Sequence, residues 1–179
     1  MSQLPQSYCD RIKTIHQALG IPENYEREYR LWLQAEASEN ELVNAGLDVF
    51  NREQFLLADV EKRWRVMRKA AQRDFIELSL VSCFRSVDYQ KELIEKKLAN
   101  GQNIEDILRV SAAPGHSEHH TGGAIDVGTS GCEHLSEAFE ETVAFQWLST
   151  NAERYGFQLS YPKNNGTGIA YEPWHWACL

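Results

Sequence analysis

Two short strings hold the residues that could do chemistry. One is Gly115-His116-Ser117-Glu118-His119-His120-Thr121-Gly122-Gly123-Ala124-Ile125-Asp126, and the other, near the end, is Glu172-Pro173-Trp174-His175-Trp176. His119, Asp126 and His175 supply two imidazoles and a carboxylate, the three-ligand set of a catalytic zinc whose fourth position stays open for water. Glu172, three residues ahead of the last ligand, is the carboxylate such a water needs as its base. One complete set predicts one zinc per chain and a hydrolytic reaction. His116 and His120 flank His119 and could exchange with it, although the pattern has no place for His120, which reads as a loop residue beside the site.

These residues need elements to hold them. A strand over Ala124–Val127 places Ala124 and Asp126 on one face, so a side chain too small to block metal or substrate stands beside the carboxylate. Gly122 and Gly123 let the chain turn between His119 and that strand. On a terminal strand over Tyr171–Ala177, His175 faces the cleft with Tyr171, Pro173 and Ala177, while Glu172 shares the other face with Trp174 and Trp176. Glu172 then has the wrong parity, and a bulge at Pro173 is expected to re-aim it. Trp64, Trp147, Trp174 and Trp176 are assigned to the core.

Apolar residues at Leu56, Val60, Trp64, Met67 and Ala71 predict a helix over Arg52–Arg73 with Asn51 as its cap. Alternation from Ile76 to Cys83 predicts a strand ending at Arg85. Ser86 caps the next helix, with Tyr89, Leu93, Ile94 and Leu98 as its apolar positions, and Asn100-Gly101 closes it. A third helix is expected over Glu137–Arg154, stopped by Tyr155-Gly156, and a strand over Phe157–Tyr161. Helices flanking a small antiparallel sheet that carries the zinc site, with a helical N-terminal region, make an α+β fold. Arg85, at the end of a buried strand, presents a planar fork of donors for a carboxylate or a developing oxyanion; the plain alternative is a surface pair with Asp88 or Glu92.

The string from Ser117 to Asp126, followed by Glu172-Pro173-Trp174-His175, resembles the VanY-type D-alanyl-D-alanine carboxypeptidases, a group that shares its metal site with lysostaphin-type endopeptidases and the hedgehog domain. Ser82-Cys83-Phe84-Arg85-Ser86, with Gln90 beyond it, is similar to the family's Ser-Gly-Tyr-Arg-Ser segment and following glutamine. Cys83 replaces glycine there and reads as a small core residue; Phe84 replaces tyrosine. The resemblance spans residues 42–177, strongest at 82–90, 115–128 and 172–176. It implies hydrolysis of the C-terminal D-amino acid from a peptidoglycan stem peptide, of D,D- or L,D-type. Glu172 would be the general base, and Ser117, Gln90 or Arg85 would meet the terminal carboxylate, Arg85 alternatively serving the oxyanion. A phage-type endopeptidase and a non-catalytic zinc-binding module are the competing readings.

The 179 residues are read as a single zinc peptidase domain, with residues 1–41 a helical extension and 42–179 the catalytic core. A net charge of -8 argues against a nucleic-acid partner and against anchoring on an anionic membrane. No apolar stretch follows Met1, since Ser2 to Asp10 is polar and Arg11, Lys13 and His16 break what comes next, so a cytoplasmic location is expected, or release at lysis for a phage enzyme. Cys9, Cys83, Cys132 and Cys178 lack paired spacing, and free thiols are expected.

Overall fold

Residues 4–178 are described by the computed structural model; residues 1–3, part of the polar start, and residue 179 lie outside it. Helix α1 (Gln6–Leu19) follows Pro5 and ends at Gly20, whose φ of 70° lets its N–H cap the carbonyls of His16 and Gln17. Its Ile12, Ile15 and Leu19 stripe is buried. After α2 (Tyr25–Tyr29) the chain runs extended, and Gln34 N and Ala37 N donate to the carbonyls of Gly115 and His120, both at 2.8 Å. The N-terminal segment therefore grips the loop that carries the first chemical string.

The helix expected over Arg52–Arg73 begins later. Strands β1 (Leu42–Leu47) and β2 (Glu53–Leu57) form a hairpin, and α3 covers Ala58–Arg73. Asn51 is no cap but a left-handed residue of the turn, with φ of 60°. Buried Asp48 organises that turn by accepting from Phe50 N, Arg52 N, Arg52 Nε and Gln54 Nε2. Leu56 fits the helical stripe only because it is buried at the end of a strand one helical turn before Val60; Val60, Trp64, Met67 and Ala71 are buried as expected.

Strand β3 (Ser79–Ser82) leads to α4 (Val87–Ala99), where Ser86 Oγ accepts from Tyr89 N at 3.1 Å. Glu36 adds a second cap at Val87 N, 2.7 Å away. The inward face of α4 is Val87, Gln90 and Ile94; of the expected apolar positions Ile94 is buried, Leu93 and Leu98 are half-buried, and Tyr89 is exposed. Asn103 caps the short α5 (Ile104–Arg109), which periodicity does not reveal. Strand β4 (Ala124–Gly128) lies where expected.

The long helix over Glu137–Arg154 is three pieces: a 3-10 turn Glu137–Glu141, α6 (Val143–Asn151) and a 3-10 turn Ala152–Tyr155. Thr142 makes the break, staying extended while its Oγ1 accepts from Phe145 N at 3.1 Å. Strand β5 (Phe157–Leu159) precedes the last strand, β6 (His175–Cys178), which starts four residues later than expected. The second sheet runs β3-β4-β6-β5, all antiparallel.

One apolar core packs α3 and α6 on this sheet, with Cys83 inside it; the other joins α1 and α2 to α4 and α5 with Tyr161 and Ile169. Cys9, Cys83 and Cys132 are free thiols. Among the described residues no helix is long and apolar enough to cross a membrane.

Candidate active site

Asp126 on β4 and His175 on β6 are directly paired across the sheet, so their side chains rise side by side from one face. His119 arrives from the 3-10 turn Glu118–Thr121, which begins at Ser117 and is closed by Gly122 at φ 69°. The three residues are buried, and one ligand atom from each lies within 4.8 Å of the others.

Hydrogen bonding decides which atoms point inward. His119 Nδ1 donates to the Cys83 carbonyl at 2.6 Å, which leaves the lone pair on Nε2. That Nε2 is buried without a hydrogen-bond partner among the described residues and faces Asp126 Oδ2 at 3.2 Å. A lone pair opposite a carboxylate oxygen calls for a cation between them, so the residues present fit a metal ion. His175 turns Nδ1 toward Asp126 Oδ1 at 3.0 Å and donates Nε2–H to Glu118 Oε2 at 2.8 Å. A carboxylate behind a histidine fixes the ring and strengthens its ligating nitrogen.

The electrostatics agree. Burial, then the Arg85 charge, hold His119 down to about 4. Burial opposes charge on His175, yet its hydrogen bonds to Asp126 and Glu118 prevail and lift it to about 10. Asp126 resists the upward push of burial and sits far below the usual carboxylate range because both histidines face it. The cluster gathers positive charge around Asp126.

Glu172 reaches the site through a turn and not through a bulge. His175 N donates to the Glu172 carbonyl at 3.1 Å, with Pro173 at the second position of the turn. This brings Glu172 Oε2 to 3.9 Å from His175 Nδ1. Burial raises the Glu172 carboxyl to about 7, against the opposing pull of His175 and Arg85.

Arg85 lies beyond the end of β3. Its Nη2 is 3.8 Å from Asp126 Oδ2, its Nη1 donates to Gln90 Oε1 at 3.2 Å, and its Nε is buried without a hydrogen-bond partner among the described residues. Among the described residues Arg85 forms no ion pair with Asp88 or Glu92: its carboxylate partner is Asp126, and Asp88 pairs with Arg11. Gln90 is buried, its Nε2 donating to the Ala112 carbonyl at 2.8 Å, so it steadies Arg85. His120 sits beside the site: Nδ1–H donates to the Arg85 carbonyl at 2.6 Å and Nε2 accepts from Gly115 N at 3.0 Å. Burial, the largest influence, holds this ring neutral, with a pKa of about 4.

These groups open onto a cleft of about 430 Å³ lined by Arg85, Lys97, Ser111, Asp126, Tyr171 and Glu172, with Val110, Leu135 and Trp174 as its apolar parts. Trp64 and Trp176 are core, and half-buried Trp147 and Trp174 pack against it, Trp174 also forming part of the cleft wall. Ser117 is buried at the start of its turn, two residues before His119. Sequence reasoning missed Glu118 and Lys97. Nothing in Ser-Glu-His shows that Glu118 reaches the far side of His175, and Lys97 reads as one charge of a solvated helix face.

Comparison with known proteins agrees with this geometry. The family profile of VanY, D-alanyl-D-alanine carboxypeptidase, matches residues 53–178. YodJ of Bacillus subtilis (strain 168) is 32% identical over 167 residues, 92% of this chain, and the chain spans 58% of YodJ's length. Among solved structures, the LdcB LD-carboxypeptidase superimposes with a TM-score of 0.70 at 33% identity, covering 81% of this chain and 70% of that one. VanYB in complex with D-alanine-D-alanine gives a TM-score of 0.60 at 25% identity, over 88% of this chain and 80% of its own.

Proposed function

The chain belongs to the VanY family of D-alanyl-D-alanine carboxypeptidases, and from that premise we propose that it removes one C-terminal D-amino acid from a peptidoglycan stem peptide, using a zinc ion held by His119, Asp126 and His175. The observation that carries this reading is the unpartnered His119 Nε2 facing Asp126 Oδ2, with Glu172 beside His175 and the Arg85 fork beside Asp126. The similarity to LdcB, an LD-carboxypeptidase, and to VanYB, which binds D-alanine-D-alanine, supports a peptide ending in a D-residue, after an L- or a D-residue.

A zinc ion in this set supplies Lewis acidity for the scissile carbonyl and acidifies the attacking water. Glu172, whose Oε2 stands beside His175, would take a proton from the attacking water and return it to the leaving amine. The unfilled donors of Arg85 meet the oxyanion as it forms. Gln90 and the Glu118–His175 pair keep Arg85 and the ligands at their angles.

Incubating the zinc-loaded protein with a stem tetrapeptide, a pentapeptide and a muropeptide polymer tests the reading. Free D-alanine from either peptide, with the polymer left insoluble, is the expected result. Solubilised polymer without free D-alanine would assign the site to an endopeptidase.

A further inference from the structure

Charge is unevenly spread over this chain. Helix α3 carries Lys62, Arg63, Arg65, Arg68, Lys69 and Arg73, six of the 18 basic residues, against two acids, Asp59 and Glu61. The net charge of -8, summed over the whole chain, hides this segregation. Val60, Trp64, Met67 and Ala71 bury one face of α3 against the sheet; on the opposite face Lys62, Val66, Lys69 and Arg73 follow one another at steps of four, three and four, all exposed. The row spans about 16 Å. Arg65 pairs with Glu61, whereas Lys62, Arg68, Lys69 and Arg73 form no ion pair among the described residues.

The end of the helix adds an apolar point. Phe75 N donates to the Gln72 carbonyl at 3.1 Å and Ile76 N to the Ala71 carbonyl at 2.9 Å, closing α3 through a left-handed residue, a position where glycine is favoured. Phe75 takes it with φ of 60° and is 96% exposed, so neither backbone conformation nor burial accounts for an aromatic side chain there. A soluble polyanion would call for cations alone. A ring held out into solvent in one groove with Arg68, and Val66 set among the cations, match a surface whose outer layer is anionic and whose next layer is apolar. Ile125, Val127 and Trp176 pack with Trp64 and Met67 of α3 and alternate along their strands with Asp126 and His175, so α3 and the metal set lie on opposite faces of the sheet.

We propose that the exposed face of α3 docks this protein on an anionic lipid surface, where Lys62, Lys69 and Arg73 meet headgroup phosphates, Arg68 flanks them, and Val66 and Phe75 enter the headgroup layer. Acidic groups on the far side of the molecule oppose this only weakly, because salt screens them beyond about 8 Å at physiological ionic strength. Docked in this way, the chain keeps its metal site turned from the lipid. The proposal stands independently of the reaction at that site.

Flotation of the full chain with vesicles of phosphatidylcholine alone, or of phosphatidylcholine with about one-third phosphatidylglycerol, at about 0.1 M salt, tests the assignment. The protein should float with the anionic vesicles and stay behind with the neutral ones. Changing Lys69→Gln and Arg73→Gln together should weaken binding to the anionic vesicles at least about tenfold. Phe75→Gly, which suits the left-handed cap, should melt no lower than the unmutated chain and yet bind severalfold more weakly, while Phe75→Trp should keep the binding. Absence of flotation with the anionic vesicles, equal flotation with both kinds, or undiminished binding after the Lys69 and Arg73 changes would overturn the proposal. Full vesicle binding by Phe75→Gly, with equally tight binding of soluble polyphosphate, would overturn it too and leave α3 as a site for polyanions in general.

Discussion

At the level of single residues, the site is fixed from behind as much as from within. Glu118 Oε2 accepts from His175 Nε2, the Cys83 carbonyl accepts from His119 Nδ1, and Gln90 holds Arg85. Replacing Glu118 with Gln keeps the shape but removes the charge behind His175, and zinc affinity should fall roughly 10- to 100-fold in competition with a chelator. An unchanged affinity would show that this carboxylate does not tune the ligand. Arg85→Lys keeps the charge and loses the planar fork, so kcat/KM should drop by about tenfold or more, about 1.4 kcal/mol, with zinc content near wild type. Wild-type rates in that variant would remove Arg85 from the machinery. Ligand types and spacing were legible in the sequence because metal chemistry restricts them narrowly. The supporting bonds were not, since Glu118 and Gln90 gain their partners from residues 57 and 5 positions away, through folding that no local pattern records.

At the level of elements, turns decide more than periodicity does. The Glu172–His175 turn ahead of β6 brings base and ligand together, where an uninterrupted strand would have set them on opposite faces. Thr142 splits a helix that composition alone would leave whole, and the Asp48 turn converts the start of a supposed helix into β2. The last two departures come from a side chain bonding to nearby backbone, which competes with helix and strand on equal terms. The site loop is placed just as locally. Gly115 has φ of 85°, and a Cβ there would lie 2.8 to 2.9 Å from carbons of Ile12 on α1. Gly115→Ala should therefore cost about 1–3 kcal/mol in denaturant unfolding, from strain and overpacking together. Pairing it with Ile12→Ala should cost less than the sum of the two single changes, because the clash is shared. Strict additivity would mean that the contact carries no strain.

At the level of the whole molecule, the N-terminal segment closes a second core over the catalytic loop, which the sequence did not disclose because its residues carry no chemical pattern of their own. His16 of α1 bonds the Pro114 carbonyl at 2.8 Å and packs on the rings of His116 and Tyr25, while Glu26 bonds His116 at 3.1 Å. Burial lowers the pKa of both histidines below 6.5, despite the opposing pull of Glu26. The unfolded chain then binds protons that the folded chain refuses, so this stability is full above the ordinary histidine pKa and is lost as pH falls below about 6.5, by at most about 1.4 kcal/mol per pH unit for each ring. His16→Gln should flatten that slope in unfolding curves taken across this range, and an unaltered slope would detach His16 from it. The central claim is that one metal ion in the His119, Asp126 and His175 set, served by Glu172, makes this chain a carboxypeptidase. Zinc titrated into metal-free protein, with bound metal and released D-alanine followed in the same sample, tests it most directly. Release should rise linearly and stop at one zinc per chain, and Glu172→Gln should bind the same single zinc while releasing D-alanine at least about a hundredfold more slowly. Release from metal-free protein, or undiminished release by the zinc-loaded Glu172→Gln chain, would contradict it.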